Sequence, residues 1–412
     1  MRFSLYQLAA ALLCACFAAV AGAQEFTECL TTLQQRARDE GLSDRLVTTL
    51  SELKYVPRVI ELDRSQPEFT ESFAKYMDRR VTDYRIDQGR KLLSENRQIL
   101  QQLTRTYGVP PQYLVAFWGL ESNYGAYKGS MPILDSLGTL ACDQRRGAFF
   151  TVELFTALQL MDELQFTPQQ MLGGWAGAIG HTQFMPSAYR QYAIDGDGDG
   201  KADLWNSVPD ALTSAARYLQ ALGWKRELRW GREVRLPDGF DYQLSGLDSK
   251  MSLTEWRKLG VTRTNGSVLP RGEMQAALIV PAGHKGPKFL VYENFEVIMR
   301  WNRSVLYSLS VGHLADRING AGRMHQRPPA NELELTIVQV KNIQSKLQEL
   351  GFDPGDIDGL IGPATQRAVQ GFQKSKDQVA DGHIDESTIE LLGVDLAAEG
   401  ESVESSAAET SP

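Results

Sequence analysis

Cysteine is scarce in this sequence. There are four in 412 residues, and two of them, Cys14 and Cys16, fall within the first 23. The remaining pair, Cys29 and Cys142, resembles no metal–thiolate site. In an exported chain the two would meet an oxidising compartment, where thiols tend to pair. A Cys29–Cys142 disulfide is therefore expected, with two buried free thiols as the alternative. Long apolar runs are lacking beyond the N-terminus, so no later segment is expected to span a membrane. Positive charge is not in excess either: the formal net charge is −8, which excludes a strongly basic nucleic-acid binder. The last nineteen residues contain no base at all, only Asp395, Glu399, Glu401, Glu404 and Glu409, which leaves the rest of the chain close to neutral. Rich in Ser, Ala and Glu, residues 394–412 read as a disordered acidic tail.

The N-terminus, by contrast, is patterned. Arg2 precedes an apolar stretch from Leu8 to Ala21, and Ala21-Gly22-Ala23 supplies a small-residue cleavage site. Residues 1–23 thus read as a signal peptide, with the mature chain beginning at Gln24. Leu13-Cys14-Ala15-Cys16 offers a lipobox in which Cys16 would carry lipid. A cysteine at its second position is unusual, and a conventional site follows closely, so an exported soluble form is preferred.

From Phe26 to about Trp224 the periodicity is helical, as in Leu30, Leu33 and Ala37 or Leu92, Ile99 and Leu103. Between about 226 and 291, short apolar alternations broken by Gly and Pro predict strands. Helix resumes from Asn302 to Arg317, and Asn319-Gly320-Ala321-Gly322 with Pro328-Pro329 marks a linker. Room remains for a compact unit from about Glu334 to Gly393.

Pro110-Pro111 presets a helix start, because proline fits a first turn whose N–H is not needed. Leu114, Phe117, Trp118 and Glu121 then share one helix face. A carboxylate ending an apolar stripe is disfavoured when charged, so its pKa should rise, as a general acid requires. Gly125 is a plausible helix stop. On spacing alone, a glutamate that bends out to solvent is an equal alternative.

Gly119-Leu120-Glu121-Ser122-Asn123-Tyr124-Gly125, Ile133 to Leu140, Arg145-Arg146 and the run from Gly174 to Ser187 through Gln183-Phe184-Met185-Pro186 come in one order. Together they resemble the lytic transglycosylases of the B type over roughly residues 26–325. The resemblance implies a mainly α fold with a lysozyme-like catalytic core. It also implies cleavage of the N-acetylmuramic acid–N-acetylglucosamine bond of peptidoglycan, with Glu121 as acid and then base and a 1,6-anhydro sugar as product. A lone carboxyl suffices if the substrate supplies its own nucleophile, whereas ordinary retaining hydrolysis needs a second. Asp135 is the nearest candidate for that second group, and its place at a helix beginning favours a capping or structural role. The resemblance implies substrate contacts at Gln183 and Tyr218, and further ones at Asn302 and Tyr307. Many relatives carry serine where Gly174 stands, which removes a side chain that could orient Glu121. A muramidase that admits water and a non-catalytic wall-binding scaffold are the alternatives.

Asp195-Gly196-Asp197-Gly198-Asp199-Gly200-Lys201 places carboxylates at positions 1, 3 and 5 of an EF-hand-like loop, with glycine at position 6. Lys201 would offer its carbonyl, and Asp203 could act directly or through water. Position 12 is the neutral Asn206, so Asp210 is expected to close the shell of a lengthened loop. A structural Ca2+ is expected here.

Residues from Val338 to Gly393 resemble a three-helix peptidoglycan-binding domain, carried by Leu350-Gly351-Phe352, Asp356-Ile357-Asp358-Gly359, Gly362-Pro363-Ala364-Thr365 and Val369-Gln370-Gly371-Phe372-Gln373. Asp381-Gly382-His383-Ile384-Asp385 echoes its first half. The expected organisation is a signal peptide over 1–23, a catalytic domain over 24–327 with a strand-rich insertion at about 226–291, a linker over 328–333, a wall-binding domain over 334–393 and the tail. The expected partners are peptidoglycan glycan strands in the periplasm, with other cell-wall enzymes left open.

Overall fold

The computed structural model describes residues 24–64 and 71–396. The export signal, the lipobox at Cys16 and the tail beyond residue 396 lie outside the described residues. The N-terminal half runs as α1 (residues 24–39), α2 (Asp44–Ser51), α3 (Pro57–Arg64), α4 (Phe73–Arg80), α5 (Asp83–Glu95), α6 (Arg97–Tyr107), α7 (Pro111–Ser122), β1 (Met131–Pro132), α8 (Ile133–Ala141), α9 (Gly147–Glu163), β2 (Leu172–Gly173), α10 (Pro186–Tyr192) and α11 (Val208–Ala221). There follow β3 (Gly231–Arg235), β4 (Lys250–Ser252), α12 (Leu253–Lys258), β5 (Thr262–Arg263), β6 (Gln275–Ile279), β7 (Lys288–Val291), α13 (Glu293–Trp301), α14 (Val305–Ile318), α15 (Ile337–Glu349), α16 (Pro363–Ser375) and α17 (Glu386–Leu392). Packing divides the described chain into two units, residues 24–64 with 117–218, and residues 71–116 with 219–396.

In the first unit α9 is the central helix, packed by α2, α8 and α10. Phe26, Leu30, Leu33 and Ala37 of α1 are buried at the helical spacing that the sequence shows. The expected disulfide is present: Cys29 joins Cys142, the C-cap of α8, across 113 residues of sequence. A cross-link over a loop of that length stabilises by about 2–5 kcal/mol.

In the second unit the strands expected between 226 and 291 form one antiparallel sheet, in the order β4-β6-β7-β3-β5. Val234, Leu278 and Leu290 point to one face, where Trp256 of α12 covers them and donates Nε1–H to the Ala276 carbonyl at 2.9 Å. α12 starts at a capping box, with Ser252 and Glu255 each bonded to the other's backbone N–H. The helix expected from Asn302 to Arg317 is present as α14 but begins three residues later, and a separate helix that the sequence reading did not include, α13, precedes it. α13 ends at Trp301, and α14 starts only at Val305, because Ser304 turns its hydroxyl onto the Tyr307 amide at 3.1 Å.

The last three helices close a core of Val340, Ile343, Leu347, Val369, Phe372 and Ile389. The Asp-Gly echo in their sequence is an internal repeat. Buried Gln344 accepts the Gly359 amide at 2.8 Å and donates to Thr365 at 3.1 Å, and Gln373 accepts Gly382 at 2.9 Å and donates to Thr388 at 3.2 Å. Both glycines have positive φ, +84° and +76°, which a side chain would strain. The three helices are fastened to the sheet: Asp381 accepts both the backbone N–H of His284 and a bond from its ring Nδ1, each at 2.7 Å, and Arg367 pairs with Asp248 at 2.8 Å. The segment before them is fastened too. Glu332 accepts the Ala74 amide of α4 at 2.8 Å, and Glu334 pairs with Lys75.

Candidate active site and acidic loop

Glu121 lies on the last turn of α7, half-buried, behind a run from Tyr113 to Leu120 that is buried on every side. α7 stops at Ser122, three residues before the glycine that the sequence offered as its stop. Asn123, Tyr124 and Gly125 then all adopt left-handed backbone, with φ of 49°, 62° and 83°. Left-handed conformation in two successive non-glycine residues persists only where the surroundings over-determine it. Here they do. Ser122 donates its hydroxyl to the His181 carbonyl at 2.6 Å and accepts the Gly125 amide at 2.9 Å. Trp118 donates Nε1–H to His181 Nδ1 at 3.1 Å. A Cβ on Gly125 would stand 2.3 Å from the His181 ring, so only glycine allows that approach.

His181 is the member of this cluster that the sequence did not single out. It is 7% exposed, and burial, reinforced by the Lys128 ammonium, lowers its pKa to about 4, with Asp203 pulling the other way. It is therefore neutral near pH 7, with Nδ1 free to accept and the proton on Nε2. Its place between Gly180 and Thr182, within the run from Gly174 to Ser187, is the only signal in the sequence.

Gln183 also has left-handed backbone, φ 47°, and is half-buried. Its Nε2 donates to the Gly180 carbonyl at 2.8 Å and the Lys128 carbonyl at 3.1 Å, which uses both amide protons. The group left for a substrate is Oε1, an acceptor. A Cβ built on Gly174 would lie 2.8 Å from that oxygen. The absence of a side chain at 174 thus makes room for the Gln183 amide. Tyr218 on α11 stacks on Tyr192 at 4.7 Å and meets Phe184 edge-on at 5.3 Å. Burial raises its pKa, so it keeps its proton.

Asp135 sits in the first turn of α8, but its carboxylate accepts the Lys54 amide at 3.0 Å and so ties in another segment. A second carboxylate that the sequence reading passed over, Glu153 of α9, is 2% exposed and accepts both the amide and the hydroxyl of Ser187, at 2.9 and 2.6 Å. It fixes the start of α10, directly after Gln183 and Phe184. Its place between Val152 and Leu154 in an apolar helix was the available sign. In the second unit, Asn302 is half-buried in the break before α14, and Tyr307, in the first turn of α14, is 3% exposed.

In the acidic loop the carboxylates of Asp195, Asp197 and Asp210 each place an oxygen within 4.8 Å of the others. Asp210, wholly buried, accepts the amides of Gly196 and Asp203 at 2.7 Å and of Asp197 at 3.3 Å. Asp195 accepts three more, and these bonds, that from Gly200 foremost, lower its pKa. Asp199 instead turns to the Lys201 amide at 2.9 Å, and Asp203 to the amides of Trp205 and Asn206. Three converging oxygens from carboxylates suit a hard divalent cation.

Residues 25–316 match the transglycosylase SLT domain model, and residues 338–392 match the peptidoglycan binding domain model. Membrane-bound lytic murein transglycosylase B of Escherichia coli (strain K12) is 31% identical over 291 residues, 66% of this chain and 77% of that protein. SltB3 from Pseudomonas aeruginosa, solved with NAG-anhNAM-pentapeptide, superposes with a TM-score of 0.84 at 40% identity over 90% of this chain and 99% of that one. Escherichia coli SLT35, solved with calcium, gives a TM-score of 0.62 at 29% identity over 71% and 92%. Among the described residues no helix is long and apolar enough to cross a membrane.

Proposed function

Since the chain belongs to the lytic murein transglycosylase B family, with a C-terminal peptidoglycan-binding domain, it is a peptidoglycan lytic transglycosylase, and we propose that Glu121 alone carries its proton chemistry. The carboxyl protonates the glycosidic oxygen between N-acetylmuramic acid and N-acetylglucosamine. The resulting carboxylate takes the proton of the muramoyl 6-hydroxyl as that oxygen attacks C1 of its own ring. The bond to the leaving sugar breaks, a 1,6-anhydro ring forms, and the proton count closes on Glu121. Intramolecular attack carries a large effective concentration, which lets the reaction dispense with a second carboxylate.

The observation that carries this reading is the placement of Glu121, half-buried at the end of a helix packed on every side and followed by backbone that Ser122, His181 and Gly125 fix. The anhydro sugar bound to SltB3 supports the product. The carboxylates nearest in role, Asp135 and Glu153, are engaged with backbone and Ser187, which speaks against a hydrolase that needs a free second one. Gln183 would accept a hydrogen bond from the glycan through Oε1, and Tyr218 would donate one. Asn302 and Tyr307 are assigned to the substrate by resemblance. Calcium would sit on Asp195, Asp197 and Asp210, with Asp199 and the Lys201 carbonyl as further ligands, and would hold the loop without entering the chemistry. Export to the periplasm and domain limits of 24–327, 328–333 and 334–393 complete the proposal.

Glu121→Gln keeps the shape and removes the acid. Release of soluble fragments from sacculi should fall by about 10²–10⁴-fold, while co-sedimentation with sacculi persists. Turnover close to wild type would remove Glu121 from the role.

A further inference from the structure

We propose that the second unit holds a binding site for a carboxylate-bearing peptide, in the cleft lined by Arg235, Lys288 and Arg327 together with Phe240 and Tyr242. The inference rests on the reading above in taking that peptide to be a stem of the wall polymer. The sugar bound to SltB3 carries a pentapeptide of this kind.

The cleft has a volume of about 750 Å³, within the range of built ligand sites. Its charge is out of keeping with the chain. Outside its acidic tail the chain is close to neutral, yet three cations line the cleft against one carboxylate, Asp238. None of the three cations has a carboxylate partner at ion-pair distance among the described residues.

Lys288 is the least ordinary of them. It opens β7, opposite Val234 and on the same face as Leu290, so its stem covers the edge of the sheet's apolar core. The residue is 8% exposed, and its ammonium donates to the neutral Gln326 Oε1 at 3.0 Å. Burial lowers its pKa, while Glu233 and Asp381 pull it back up. Neither of those carboxylates is available to it as a direct partner. Glu233 accepts the amides of His325 and Gln326, each at 2.7 Å, and Asp381 is held by His284. A largely buried ammonium without a counter-ion is unfavourable, and an incoming carboxylate relieves it.

Arg327 is exposed and makes no hydrogen bond or ion pair among the described residues. Arg235 meets only the His325 ring, at 2.8 Å. Guanidinium groups held in this state offer two-pronged recognition of a carboxylate. The aromatic part of the lining, where Phe240 packs edge-on against Tyr242 at 5.5 Å, suits the aliphatic side chains of a short peptide.

The test is calorimetric titration of the full chain with a free stem pentapeptide, its amidated form and inorganic phosphate. The pentapeptide should bind. Amidation, Lys288→Met and Arg327→Gln should each weaken it at least tenfold, with the exposed Arg327→Gln leaving the melting temperature in place. Absence of binding, equal binding of the amidated peptide, or phosphate binding as tightly as the peptide would overturn the site. If peptide binding fails while glycan strands are still cleaved to anhydro ends, the site falls and the enzymatic reading stands.

Discussion

The surroundings of Glu121 and the loop from Asp195 to Asp210 both depend on tightly turned backbone, but the turns serve opposite ends. In the loop the backbone amides point at carboxylates: Asp195 and Asp210 accept three each, and charge is gathered where a cation can sit. After Glu121 the hydrogen bonds run between neutral groups, Ser122, His181, Trp118 and Gly125. The loop concentrates charge and the catalytic turn fixes geometry without adding any. A lone acid profits from the second arrangement, since no neighbour in the clamp competes for its proton.

That contrast can be broken at its tightest point. Gly125→Ala places a methyl against the His181 ring in backbone that favours glycine. Stability should drop by on the order of 3–5 kcal/mol, read by denaturant unfolding. An unchanged midpoint would show that the turn tolerates more than its contacts imply.

The neutrality of the clamp can be read from pH. The folded pKa of His181, about 4, lies below its ordinary 6.5. The unfolded chain therefore binds the proton more readily, and the stability that His181 contributes is present above pH 6.5 and lost as pH falls towards 4. The full window is about 3 kcal/mol. His313, whose pKa burial also lowers to about 4, adds a loss of the same sign. The difference between wild type and His181→Gln isolates the first share, and parallel stability–pH curves for the two proteins would refute it.

The loop should respond to metal where the clamp does not. Asp210→Asn leaves buried amides short of an acceptor, a loss of about 1–3 kcal/mol without any ion. It should also abolish the rise in melting temperature that calcium produces in the wild type. Asp199→Asn should cost less of that rise than Asp210→Asn, because Asp199 is turned towards the Lys201 amide and would have to swing to reach the ion. A wild-type melting temperature indifferent to calcium and chelator would set the loop down as a charged turn.

The sequence made the frame of this molecule readable where one local rule governed. The periodicity of α1, the short apolar runs of β6 and β7 and the Asp-Gly echo each reflect short-range constraints, and each has its counterpart in the fold. The two remaining cysteines were few enough for their pairing to be read. What escaped was decided by distant partners. Asparagine tolerates left-handed backbone, but nothing local predicts it at Tyr124, because His181, nearly sixty residues away in sequence, helps hold the turn. The acceptor-only face of Gln183 depends on the Lys128 carbonyl, and the burial of Glu153 on Ser187. The start of α14 lay within reach, since Ser304 is a good N-cap, whereas α13, directly after the last strand, went unread.

The most direct test of the single-carboxyl account is mass spectrometry of sacculi digested in water enriched in ¹⁸O. Fragments should end in 1,6-anhydro muramoyl residues that contain no solvent oxygen. Reducing ends carrying the heavy isotope would mean that water, not the sugar's own hydroxyl, attacks C1.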